Sequence, residues 1–119
     1  MSDVAALTRA THKFESRYLD WLIAPLAGNE QLYRERSPLH YAASLNRPVI
    51  FFQGDEDRAV PPSQTEVMLD ALRAKGVPVG YLLFGGEQHG FRKAANIMRA
   101  LDAELYFYAA LVFRTGLAF

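Results

Sequence analysis

Two short apolar runs, residues 49–53 and 77–84, constrain this chain more than any other feature. Neither alternates apolar with polar residues as a half-exposed strand does, so both suit strands covered on two faces, as in a parallel sheet. Between them Pro61 and Pro62 close a loop, and Ser63 and Glu66 have the spacing of a capping box. Val67, Met68, Ala71 and Leu72 then recur as a helical apolar stripe. Arg73 and Lys75 stand where they complement a helix dipole, and Gly76 is a C-terminal stop. The pattern predicts a βαβ unit in which the local signals agree.

A parallel pair joined through one helix crosses over right-handed, which puts both carboxyl ends on one edge of the sheet. That edge is where open α/β sheets bind ligands and do chemistry. The loop after the first run carries Asp55, Glu56 and Asp57, and the loop after the second carries His89. A histidine general base needs a carboxylate to fix its tautomer and stabilise the imidazolium, so this edge brings together two of the three parts of a hydrolase triad. Asp57 is the candidate acid, with Asp55 and Glu56 as competitors. Alone, an acidic turn is a solvated turn and a histidine among glycines is a loop residue; together, at the ends of adjacent strands, they are a signal.

The flanks read as helical. Over residues 4–23 the apolar positions Val4, Leu7, Phe14, Tyr18, Trp21 and Leu22 fall mostly three or four apart, with Thr11 filling the gap, before Pro25 and Gly28 stop the pattern. The aromatics of this face are expected to pack on a core rather than wall a substrate. Gly28 and Asn29 form a turn and residues 30–36 a short charged helix; Ser37 and Pro38 suit an N-cap and first helical position for another helix through Ser44. His12 is expected to face solvent and His40 to be structural or exposed. A long helix is expected over residues 94–113, with Ile97, Leu101, Leu105, Tyr108 and Val112 on one face and Gly116 as its stop. No N-cap is evident for it, and Arg92 and Lys93 oppose its dipole.

Composition excludes several classes. The 13 Lys and Arg balance the 13 Asp and Glu, so no basic face invites nucleic acid or an anionic membrane. The absence of cysteine removes disulfides, thiolate metal sites and a thiol nucleophile. No apolar run approaches the roughly 20 residues needed to span a bilayer, and the start has no signal-peptide core, so a soluble, cytoplasmic chain is expected. No metal cluster or nucleotide-binding loop appears, and no cofactor is implied.

The residues that carry the chemistry also carry a resemblance. GDEDRAVP, residues 54–61, resembles the acid loop of the prolyl oligopeptidase family of serine peptidases, and GEQHGF, residues 86–91, resembles its histidine loop. The resemblance extends through THKFESRYLDWLIAP, ERSPLHYA, PVIFFQG, ALRAKGVPV, YLLF and RALDAELYFY, and is nearest to the dipeptidyl aminopeptidase and acylaminoacyl peptidase branch. It implies an α/β-hydrolase fold, Asp57 as the orienting acid, His89 as general base and acid, and a peptide substrate. Substrate-binding residues lie mostly elsewhere in such proteins, with residues 18–33 a candidate here for aromatic surface near the site. The family's nucleophilic serine sits in a Gly-x-Ser-x-Gly elbow. None of the serines at 2, 16, 37, 44 and 63 has glycines two residues away on both sides.

The expectation is therefore a single domain, residues 1–119, forming the C-terminal part of an α/β-hydrolase catalytic domain. It comprises a helical segment over 1–45 and a βαβα segment over 46–119, with the nucleophile encoded roughly 40 to 50 residues upstream. Alone it is expected to be inactive, and to form a homodimer through an exposed sheet edge. The alternatives are a piece of an esterase-type hydrolase, or a non-enzymatic module that associates with itself.

Overall fold

The computed structural model describes residues 1–10 and 17–115, with side chains to residue 111. Strand β1 (Val49–Gly54), helix α4 (Pro62–Ala74) and strand β2 (Val79–Phe84) form the expected βαβ unit. Before it come α1 (Val4–Ala10), α2 (Tyr18–Leu22), α3 (Glu30–Glu35) and a 3-10 helix (Pro38–Ser44); after it comes α5 (Ala94–Thr115). The strands pair in parallel, from Val49 opposite Val79 to Gly54 opposite Phe84, so both chains leave the sheet at the same edge. This register places the acid loop beside the histidine loop.

The exit from α4 shows why β2 begins two residues later than its apolar run. Gly76 has φ of 77°, its N–H donates to the Arg73 carbonyl, and the Val77 N–H donates to the Leu72 carbonyl. These are the paired bonds of a Schellman stop. Val77 is thus committed to the helix end, and Pro78 has no N–H for a ladder. The entry to α4 departs from the capping-box expectation. Its N-cap is Pro61, with no side-chain cap, and Ser63 lies exposed inside the first turn.

The core has two parts. Ala42, Met68, Leu72 and Val77 join α4 and the 3-10 helix to the sheet, with Val49, Phe51 and Val79 packed against them. Val4, Leu7, Leu19 and Tyr33 form the second cluster, between α1, α2 and α3. Tyr33 is fully buried and its hydroxyl donates to the Ala24 carbonyl, so it is a core residue and offers no surface to a substrate. Within α4 the buried face includes Leu69, while Val67 from the expected stripe is exposed.

Two polar side chains tie the parts together. Ser37 does not cap the helix that follows it. Its Oγ accepts from the Val4 N–H at the start of α1 and donates to the Tyr33 carbonyl. Gln64 of α4 accepts the N–H groups of Ser2 and Asp3 through one Oε1, each at 2.9 Å. Buried, these groups stand in for water at backbone N–H groups that would otherwise be unpaired.

The N-terminal helix expected over 4–23 is described as two pieces, α1 and α2. Thr11, His12 and Phe14 lie outside the described residues, as do Gly116 and the side chain of Val112. Trp21 is 82% exposed, and Tyr18 and Leu22 are also open, contrary to the expected packing of this face. Only Leu19 of α2 reaches the core, because a five-residue helix has room for little more than one inward position. Ile97, Leu101, Leu105 and Tyr108 share a face of α5, and all four are exposed. The radius of gyration, 16.4 Å, exceeds the roughly 13.5 Å of a compact chain of this length. No helix among the described residues is long and apolar enough to cross a membrane.

Candidate active site

The carboxyl ends of β1 and β2 lead into loops that are stitched to each other by backbone. Asp55 N–H donates to the Phe84 carbonyl at 3.2 Å, and Glu56 N–H donates to the Glu87 carbonyl at 2.9 Å. Asp55 adds its own Oδ1, which accepts the Gly86 N–H at 2.7 Å. Gly54 makes the close approach possible. A Cβ there would collide with the carbonyl oxygens of Glu87 and Gln88, so no other residue fits without moving the histidine loop.

Among the three acids, geometry separates the roles. Asp57 is buried, and its Oδ2 lies 2.9 Å from His89 Nδ1. Its Oδ1 accepts the N–H groups of Ala59 and Val60 at 3.0 and 2.8 Å, which fixes the carboxylate plane. Asp55 is engaged with Gly86, and Glu56 is exposed. A carboxylate can only accept, so the proton between Asp57 and His89 belongs to Nδ1. That leaves Nε2 of a neutral ring with a lone pair, and the His89 side chain is 64% exposed. Chemically, the pair can take a proton at Nε2 while Asp57 stabilises the cation so formed.

Two supporting residues lie within the stretches that carry the resemblance, but nothing in their spacing shows what they bond. Gln53, the buried last side chain of β1, donates from Nε2 to the Val60 carbonyl and accepts from Thr65 Oγ1 at 2.7 Å. It spans the acid loop from strand to helix. Only its position as a polar residue ending an apolar run could have flagged it. Glu87 is 2% exposed, and its carboxylate accepts from the backbone N–H groups of Arg92 and Lys93 and from the Asn96 side chain. It caps the entry to α5, Ala94–Thr115, from six residues before Lys93, bonding the two N–H groups that lead into the helix and the Asn96 side chain in its first turn. Burial would push its carboxyl up, but the bonds from Arg92, Asn96 and Lys93, with the Lys93 charge, hold it below the usual range.

Beside the pair lies a cleft of about 490 Å³ lined in part by Phe51, Gln53, Asp57, Gln88, His89 and Phe91. Phe91, which lines the cleft beside His89, packs on Phe84 with ring centroids 4.6 Å apart. Among the described residues no group of three His, Asp or Glu side chains is placed to hold a metal ion.

A parallel pair with an acid and a histidine at its carboxyl edge, between flanking helices, is the arrangement of an α/β-hydrolase, here a partial one. The sequence profile described as the prolyl oligopeptidase family matches residues 1–113, so the chain belongs to that family. The solved structure of a Mycobacterium tuberculosis puromycin-hydrolyzing peptidase is 50% identical and superposes with a TM-score of 0.88 over 92% of this chain. The match covers 17% of that protein. Dipeptidyl peptidase family member 6 of Caenorhabditis elegans is 38% identical over 57% of this chain, and dipeptidyl aminopeptidase BIII of Pseudoxanthomonas mexicana is 39% identical over 52%. The matched region is 9% of the length of each of these relatives.

Proposed function

We propose that this chain carries the acid and base of a serine peptidase active site, with Asp57 orienting His89 and His89 moving the proton. The nucleophilic serine and its oxyanion donors come from polypeptide outside these 119 residues. The observation that carries this reading is the 2.9 Å contact of Asp57 Oδ2 with His89 Nδ1, made from adjacent parallel strands with the far side of the imidazole open. In the assembled site Nε2 takes the serine hydroxyl proton as the serine attacks a peptide carbonyl, then returns it to the leaving amine. Membership of the family supports a peptide substrate, and the dipeptidyl aminopeptidase names among the relatives favour cleavage near a free amino terminus. We place this activity in the cytoplasm and residues 1–119 in one domain.

Without a nucleophile and oxyanion donors, the chain alone is inactive as a peptidase. Hydrolysis of aminoacyl nitroanilides by the purified chain is the test. Robust turnover abolished by His89→Ala would refute the division of the site, whereas the reading expects none above buffer.

A second reading concerns assembly. Among the described residues the sheet has two strands, so β1 has an open outer edge, and α5 exposes Leu101, Leu105 and Tyr108. Unpaired edges and uncovered apolar faces favour self-association. The chain is expected to form a homodimer through the β1 edge, or by exchange of the N-terminal helix. A monodisperse monomer by light scattering at micromolar concentration would exclude it.

A further inference from the structure

Two carboxylates are buried among the described residues, Asp57 and Glu87, and the proposed chemistry uses only the first. We propose that Glu87 is a positioning residue, which holds His89 against Asp57 by fastening the histidine loop at both of its ends. The inference rests on the proposed role of the Asp57 and His89 pair.

His89 cannot be placed by packing, because its side chain is 64% exposed and its neighbours Gln88 and Gly90 are exposed as well. Its position must come from where the loop is anchored. The backbone of Glu87 is the anchor before the histidine: its N–H donates to the Phe84 carbonyl at the end of β2, and its carbonyl accepts the Glu56 N–H of the acid loop. The side chain is the anchor after it. Oε2 accepts the Arg92 N–H, and Oε1 accepts the Lys93 N–H and Asn96 Nδ2, each at 2.9 Å. One residue therefore bonds back to the acid loop and forward across the histidine to α5.

A Ser or Asp at position 93 would bond N–H groups inside the first helical turn and leave those of Arg92 and Lys93 to other partners. A buried glutamate five residues upstream satisfies them only by closing the chain into a ring around residues 88–91. Charge-assisted bonds to backbone N–H groups are stronger than neutral ones, and this carboxylate faces three donors. Removing it would leave the downstream side of the loop held by Phe91 on Phe84 and by Lys93 Nζ, which donates to the Gly85 carbonyl, without the carboxylate that fixes the Arg92 and Lys93 backbone.

The test reads the imidazole rather than the fold. Long-range ¹⁵N–¹H spectra of the chain at about pH 8.5, above the ordinary histidine range, report which ring nitrogen of His89 carries the proton. The unaltered chain is expected to show the Nδ1–H form. Glu87→Ala should reduce that form by about half or more while the amide spectrum of the rest of the chain keeps its dispersion, and Glu87→Gln, which retains one acceptor oxygen, should fall between. Asp57→Asn is the reference variant, expected to abolish the preference while leaving the Arg92 and Lys93 amides protected. Loss of the preference in Asp57→Asn but not in Glu87→Ala overturns the role of Glu87 and leaves the acid and base pair standing. An unchanged preference in Asp57→Asn overturns the pair itself, and the positioning role with it. Unfolding of both Glu87 variants would make the residue a support of the whole chain and also overturn the proposal.

Discussion

Gly54→Ala is expected to break the contact between Asp57 and His89 although it alters neither residue. Gly54 is buried at the last ladder position of β1, opposite Phe84. A methyl group there would come within 2.5 Å of the Gln88 carbonyl oxygen and 2.7 Å of the Glu87 carbonyl carbon, where ordinary contact begins at 3.4 Å. These are backbone atoms, which cannot swing aside as the end of a side chain can. The loop must therefore retreat by about 0.9 Å, the difference between 3.4 and 2.5 Å. Carried to the next residue along the contact, that displacement would open the 2.9 Å separation of His89 and Asp57 to as much as about 3.8 Å, beyond hydrogen-bonding range. Overpacking of this kind costs about 1 to 3 kcal/mol, and loss of the Glu56 to Glu87 backbone bond about 1 more. Urea unfolding should register a destabilisation of about 2 to 4 kcal/mol. Nitrogen-resolved spectra should show His89 released from the Nδ1–H form. In the assembled enzyme a misplacement near 1 Å should lower turnover by about 100-fold. A variant within about 0.5 kcal/mol of the parent, with the His89 tautomer unchanged, would refute the claim that glycine is required by this approach.

Other perturbations probe separate parts of the structure. Leu72→Ala empties a fully buried site between α4 and the sheet and should cost about 2 to 5 kcal/mol in urea unfolding; a loss below about 1 kcal/mol would mean that the cluster collapses around the gap. Tyr81→Phe removes a hydroxyl that is buried without a hydrogen-bond partner among the described residues, so it should leave stability unchanged or raise it by about 1 kcal/mol, and a clear destabilisation would reveal a partner for that oxygen. Acid should act through Glu87. Its folded pKa lies below the usual 4.5, so its contribution is complete above that value and is lost as the pH falls through the lower folded one. Exchange protection of the Arg92 and Lys93 amides should therefore decline in that acid window, and Glu87→Gln should flatten the decline.

Much of the fold was legible because its signals are local. The β1, α4 and β2 sequence carries strand-type runs, a helical stripe and a glycine stop, and the Schellman bonds at Gly76 are what such a glycine provides. Long-range ties were not legible. Ser37 has the appearance of an N-cap, yet its hydroxyl serves α1 and Tyr33, because a partner 33 residues away leaves no pattern in the sequence. Ser63 and Glu66 have capping-box spacing, but Pro61 and Pro62 start the helix before Ser63 can cap it. Trp21 and its neighbours have core-like periodicity, and periodicity says which residues share a face without saying what that face meets.

By itself, then, the sequence determined the βαβ order and which loops carry acids and a histidine, since both follow from hydrophobic period and turn residues read over short spans. It also determined that no Gly-x-Ser-x-Gly elbow is encoded in these 119 residues. The resemblance of residues 54–61 already favoured Asp57 among the three adjacent acids, while hydrophobic period and turn residues left them open; the tertiary structure adds the contact itself, which depends on loop register to within an ångström and on bonds between loops about 30 residues apart. The same holds for Gln53, which secures the acid loop to α4, and for Glu87, which caps α5 from across the histidine loop. Their partners are chosen by how the chain closes on itself, which no short window of residues records.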